Sequence, residues 1–151
     1  NNFDINWQLP IWLDLHAPCK VIHPGTDCEM DNDEYGISKN IAANYIHEYS
    51  QKTKSIKTSI IGPELNGTSS LLEWFLSQKK EVFGYTKAIW NGVTTLEWSK
   101  HCLKLINNWD DYNKTTILYK ITKKELGKNK TLKGNIKTKN IREQLIELKS
   151  L

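Results

Sequence analysis

At 151 residues, 38% of them hydrophobic, the chain can bury one real core, and a formal charge of +4 marks it as neither a polyanion nor a strongly basic protein. Its three cysteines, Cys19, Cys28 and Cys102, cannot all pair and lack metal-ligand spacing, so a reduced, cytoplasmic chain with no metal site is expected. Asp14 interrupts the one early apolar stretch with no basic segment before it, and no apolar run approaches the roughly 20 residues that span a bilayer, so a soluble chain with neither signal peptide nor membrane contact is expected.

In chain order, residues 4–16 predict a helix broken or begun at Pro10, with Trp7, Ile11 and Leu15 on one stripe. "CKVIH" is a short strand stopped by Pro24 and Gly25. A polar loop leads to a helix over 34–49 with Asp33 as N-cap. Ile41, Tyr45 and Tyr49 fall on one stripe of that helix, and Tyr35, Lys39 and Ala42 on an adjacent one. "SIKTSII" is a second strand, ended by Gly62 and Pro63. Strand, helix and strand in this order make a βαβ unit with parallel strands, which belongs in a larger α/β sheet. Ligands of such sheets sit beyond the carboxyl ends of the strands, where the sequence has Thr26, Asp27 and Glu64.

Downstream, "SSLLEWFLSQ" is an amphipathic helix with serine caps. "TTLEWSKHCLKLI" opens with a capping box, Thr94 and Glu97, and turns Leu96, Leu103 and Ile106 inward. "TTILY" is a strand, and Thr122 with Glu125 repeats the capping-box pattern. Residues 127–139 predict an exposed loop, and 140–149 a final helix capped by Asn140 and carrying Ile141, Leu145 and Leu148. From Lys114 to Lys139 there are nine lysines and one acid, Glu125. A solvated face or loose tail explains that bias, and nucleic-acid binding is disfavoured because only Tyr119 is interleaved as an aromatic platform. Asn-x-Thr sequons at Asn66, Asn113 and Asn129 matter only in a secreted chain.

"KVIHPGTDC", "EYGISK" and "IKTSIIGPE", in this order, resemble the extended, sugar-nucleotide branch of the short-chain dehydrogenase/reductase superfamily, specifically its dTDP-4-dehydrorhamnose reductase type. "LLEWFLSQKKEVFGYTKAIWNGVTTLEW" extends the resemblance, which covers roughly residues 6–107. It implies an α/β fold: a partial Rossmann-like NAD(P)-binding parallel sheet lacking its N-terminal half, with a small C-terminal α+β substrate-binding part. The expected division is 1–65 for the nucleotide-binding half and 66–151 for the substrate-binding part.

Position by position, the resemblance implies Thr26, Tyr35 and Lys39 as catalytic residues. Hydride transfer to a sugar ketone leaves an oxyanion that must gain a proton, which a tyrosine hydroxyl can donate. A lysine ammonium one helical turn away favours the phenolate and is expected to lower the Tyr35 pKa, while Thr26 orients the substrate oxygen. In the family the lysine also binds the nicotinamide ribose, so Tyr35 and Lys39 count as cofactor-binding. Ser59 and Ile61 stand where relatives pass the nicotinamide by backbone contacts, or are ordinary strand core. Glu64, Trp90 and Asn91, with Thr26, are the expected substrate-binding residues; Trp90 is open to a core-capping reading. Asp27 orders the loop or merely turns it, and His23 and Cys28 read as structural.

Two departures stand out. No glycine-rich Gly-x-x-Gly-x-x-Gly turn is present, and only "DCEMDNDE" separates Thr26 from Tyr35, about half the usual loop. The leading expectation is a portion of an NADP- or NAD-dependent reductase of nucleotide-linked 4-keto-6-deoxy sugars, serving polysaccharide precursor synthesis. Its ligand partner is a nucleotide-linked deoxy sugar, and a homodimer is compatible with it. The alternatives are a non-catalytic fragment or degenerate homologue that binds a nucleotide sugar or a protein partner, and a sugar-nucleotide epimerase using the same Tyr-Lys pair.

Overall fold

The computed structural model describes residues 1–84, 90, 92–118, 123–124, 131–132 and 138–150. In chain order its elements are α1 (Leu9–His16), β1 (Val21–Gly25), α2 (Glu34–Glu48), β2 (Thr53–Lys57), β3 (Ile60–Ile61), α3 (Leu71–Ser77), β4 (Val93–Thr94), α4 (Thr95–Asn107), β5 (Thr115–Ile117), β6 (Lys123–Lys124), β7 (Thr131–Leu132) and α5 (Ile141–Lys149). They form two compact units, one built from Asn1–Thr58 and Lys104–Ile117, the other from Ser59–Leu103 and Leu118–Leu151.

The first unit holds the βαβ element. β1, β2 and β5 make an all-parallel sheet in that order, with Val21 opposite Thr53, Gly25 opposite Lys57, and Ser55 opposite Thr115. The fold class is thus α/β with parallel strands in an open sheet, Rossmann-like in part. α2 begins at Asp33, whose carboxylate accepts the Gly36 N–H at 2.7 Å, and buries Ser38, Ala42 and Ile46 at intervals of four. The second unit pairs β3 with β4 in parallel and β6 with β7 antiparallel.

Several sequence expectations are corrected. β1 runs through Pro24 and Gly25 rather than stopping at them. Among the described residues β1 lies at the margin of its sheet, where a strand tolerates proline's missing N–H. "SIKTSII" is not one strand: β2 ends at Lys57, and Ile60–Ile61 pairs elsewhere, with β4.

The helix stripes are also rotated from expectation, mostly by a buried polar group. In the first segment, a π turn at Asp4–Gln8 followed by α1, the inward line is Asn6, Pro10 and Asp14, whereas Leu15 is exposed. Asp14 is drawn in because its carboxylate accepts hydrogen bonds from Ser50, Thr53 and Tyr45. On α2, Tyr49 is exposed and Ile46 takes the core position. On α4, Glu97, His101 and Leu105 face inward, with His101 Nε2 3.4 Å from Glu97 Oε1, and Leu103 and Ile106 are exposed. On α5 the buried residue is Gln144, which accepts from the Thr94 N–H and donates to the Lys139 carbonyl, both at 2.8 Å. Lys123–Lys124 is extended rather than helical, while Thr122, Glu125 and most of 127–139, including most of the lysine run, lie outside the described residues. The caps at Ser70, Thr94 and Asn140 each accept the expected backbone N–H. No described helix is long and apolar enough to cross a membrane.

Candidate active site

Thr26 follows β1 directly and caps a 3-10 turn at Asp27–Met30. Its hydroxyl accepts the Cys28 N–H at 3.2 Å, and its own N–H donates to Glu29 Oε1 at 3.0 Å, closing a capping box. The turn then meets the start of α2 at Gly36. A Cβ on Gly36 would stand 2.5 Å from the carbonyl oxygens of both Asp31 and Cys28, so only glycine allows this approach. That contact sets the turn against the first turn of α2, where Tyr35 lies. The Thr26 side chain bears on the Tyr35 phenol, on whose pKa it acts downward.

Lys39 sits one turn along α2 from Tyr35, with Nζ 5.9 Å from the centre of the phenol ring. Nζ also donates to the Pro24 carbonyl at 3.2 Å, tying the helix to the end of β1. The first unit therefore assembles Thr26, Tyr35 and Lys39 at the carboxyl end of β1, with Tyr35 39% exposed and reachable from solvent. The electrostatics differ from the expected direction. Burial raises the Tyr35 pKa above the ordinary phenol value; a hydrogen bond from Thr26 works against it, and Cys28, Asp27 and Glu29 add to the rise. Burial likewise lowers Lys39, opposed by Glu29. His23, buried in β1 beside Lys39, is pushed down to about 4 by burial and by that lysine, and so stays neutral.

In the second unit, Ser59, Ile61, Glu64 and Trp90 line one cleft of about 600 Å³ together with Ile60, Pro63 and Leu71. The Trp90 indole donates to Ser59 Oγ at 2.8 Å. Gly92 makes room for that ring, since its Cβ would lie 2.2 Å from Trp90 Cζ2. Glu64 accepts the Ser69 N–H at 3.0 Å and so also serves its own loop, which turns at Gly67 with φ 96°. Asn91 lies outside the described residues.

Sequence reasoning overlooked Glu29, Lys57 and Gly36 as determinants of this site. Thr26-x-x-Glu29 is a legible capping-box signature, but the Lys57 that pairs with Glu29 comes from the neighbouring strand and carries no local signal.

No protein-family model matches the sequence, and no curated protein does. Among solved structures, the chain is similar in fold to a dTDP-4-dehydrorhamnose reductase from Clostridium acetobutylicum ATCC 824. The TM-score is 0.58 at 17% identity, over 78% of this chain and 48% of that one. At that identity the likeness concerns the fold, and the chain spans about half the length of the solved protein.

Proposed function

We propose that this chain carries the proton-donating and sugar-binding portion of an NADP- or NAD-dependent reductase of nucleotide-linked 4-keto-6-deoxy sugars. The reading makes 1–65 the catalytic half and 66–151 the substrate-binding part, in the service of polysaccharide precursor synthesis. The observation that carries it is the meeting of Thr26, Tyr35 and Lys39 at the carboxyl end of a parallel strand. The fold of the solved reductase supports the same reading.

In this mechanism the Thr26 hydroxyl holds the ketone oxygen and Tyr35 gives it a proton as the alkoxide develops. The cofactor, when bound, supplies the hydride. Lys39 has three donors, one of them used on Pro24, leaving others for ribose hydroxyls and for stabilising the phenolate left after transfer. Ser59 and Ile61 would present backbone to the nicotinamide, and Glu64, Trp90 and Asn91 would contact the nucleotide sugar. The raised Tyr35 pKa keeps the phenol protonated through neutral pH. That state suits a proton donor. The test is NADPH-dependent reduction of a dTDP-4-keto-6-deoxy sugar by a polypeptide joining this chain to a glycine-rich dinucleotide-binding half. Turnover that vanishes with Tyr35→Phe supports the reading; cofactor and sugar binding without any turnover sinks it in favour of a non-catalytic binder.

A further inference from the structure

The 3-10 turn after β1 holds a buried acid to which the chemistry above gives no task. Glu29 is 5% exposed, and its two carboxylate oxygens have separate partners. Oε1 accepts the Thr26 N–H at 3.0 Å, whereas Oε2 forms an ion pair with Lys57 of β2. Gly25 leaves the space: a Cβ there would lie 3.0 Å from Oε1 and 2.7 Å from Ser55 Oγ. A buried carboxylate is costly unless paired and hydrogen-bonded, and this one is both.

Its surroundings give it a role. Glu29 accepts the backbone N–H of Thr26, its turn packs on the start of α2 at Gly36, next to Tyr35, and its charge bears on Tyr35 and on Lys39. Asp27 and Cys28 bear on Tyr35 from the same turn, Lys57 faces Glu29 from β2, and His23 faces Lys39 from β1. We infer that Glu29 is a positioning residue: held by Lys57, it fixes Thr26 and the turn that packs on the start of α2 beside Tyr35, so that its charge bears on the phenol. This rests on the reading of Tyr35 as proton donor, but it concerns groups that reading leaves idle. The ion pair acts as a two-sided control. Glu29 disfavours the phenolate, and Lys57 offsets part of that effect.

The two partners therefore make opposite predictions, which a merely structural pair would not. Glu29→Gln keeps an oxygen able to accept the Thr26 N–H and removes the charge. Lys57→Met keeps the aliphatic stem and leaves the Glu29 charge uncompensated. Placing 3-fluorotyrosine at position 35 of the intact chain brings the phenol titration down toward neutral pH and gives a fluorine resonance that reports it. Against this parent, Glu29→Gln should move the midpoint down, Lys57→Met should move it up, and Lys57→Arg should leave it in place. Midpoints that do not move, or that move the same way in Glu29→Gln and Lys57→Met, overturn the proposal. If Lys57→Met fails to fold, Glu29→Gln still decides by its direction. The titration needs neither cofactor nor turnover, so its failure is distinct from a failure of the reductase reading.

Discussion

Lys39 donates its ammonium to the carbonyl oxygen of Pro24 at 3.2 Å, joining α2 to the last turn of chain before Thr26. The bond holds the ammonium 5.9 Å from the Tyr35 ring centre, at the corner where β1 runs into Thr26. The acceptor is a backbone carbonyl, which proline offers although it lacks an N–H. In a polypeptide that supplies the dinucleotide half, Tyr35→Phe should cut ketone reduction by about 10²- to 10⁴-fold with cofactor affinity nearly unchanged. Lys39→Met should lower both rate and cofactor affinity, since on the proposed reading one ammonium would serve ribose and phenol. Steady-state kinetics with a cofactor titration separates the two, and full turnover in Tyr35→Phe would remove the tyrosine from the mechanism.

Cofactor affinity of the 151-residue chain by itself should be weak. Its eight glycines never fall in the Gly-x-x-Gly-x-x-Gly spacing that lets a backbone approach a pyrophosphate at a helix N-terminus. On the proposed reading only the nicotinamide-ribose end would remain, through Lys39. Titration with NADPH and with NADH, read by nicotinamide fluorescence or calorimetry, should show no submicromolar binding. A submicromolar dissociation constant would mean that a cradle of a different kind exists in this chain.

Acid should loosen the first unit through Asp14. Burial of this carboxylate would raise its pKa, but hydrogen bonds from Ser50, Thr53 and Tyr45 and the charge of Lys52 outweigh it, and the net direction is below the ordinary 3.8. A depressed folded-state pKa contributes stability that is present above the unfolded value and is lost as pH falls below 3.8 through the folded value. Asp14→Asn sets an amide donor against hydroxyl donors and should cost about 1–3 kcal/mol at pH 7. Urea denaturation should show the gap between wild type and variant narrowing as the pH falls from 5 to 3. A gap that is constant across that range would show that the carboxylate charge contributes nothing.

The elements were largely legible in the sequence, and the faces they present were not. Period and caps located α2, α3, α4 and α5, because Asp33, Ser70, Thr94 and Asn140 act on N–H groups two or three residues away. The inward stripes were misjudged where a polar residue finds its partner far along the chain. Asp14 bonds Ser50 and Thr53, and Gln144 bonds Thr94, so each helix turns toward a bond rather than toward its leucines. The site shows the same division. Tyr35 and Lys39 are one helical turn apart and could be paired on paper, whereas Glu29 and Lys57 meet only across the sheet register that sets Lys57 beside Gly25. Direction of charge was also beyond reach: the expected lowering of Tyr35 by Lys39 gives way to burial and nearby acids.

Gly36 should be the residue on which the short loop depends. The eight residues "DCEMDNDE" join Thr26 to Tyr35 with the 3-10 turn packed directly on the first turn of α2. At that contact a Cβ would be 2.5 Å from two carbonyl oxygens, both backbone, and neither can swing aside as a flexible side chain would. Gly36→Ala must therefore push the turn away from the helix, which costs about 1–3 kcal/mol for forced overpacking. α2 itself should persist, because alanine is the better helix former and the Asp33 cap remains. The expected result is a lowered urea midpoint with unchanged far-ultraviolet circular dichroism. A 3-fluorotyrosine at position 35 should at the same time lose the influence of Thr26, and its fluorine resonance should shift toward that of the Thr26→Val variant. A Gly36→Ala protein with an unchanged midpoint and an unshifted resonance would mean that Thr26 and Tyr35 are brought together by something other than this contact.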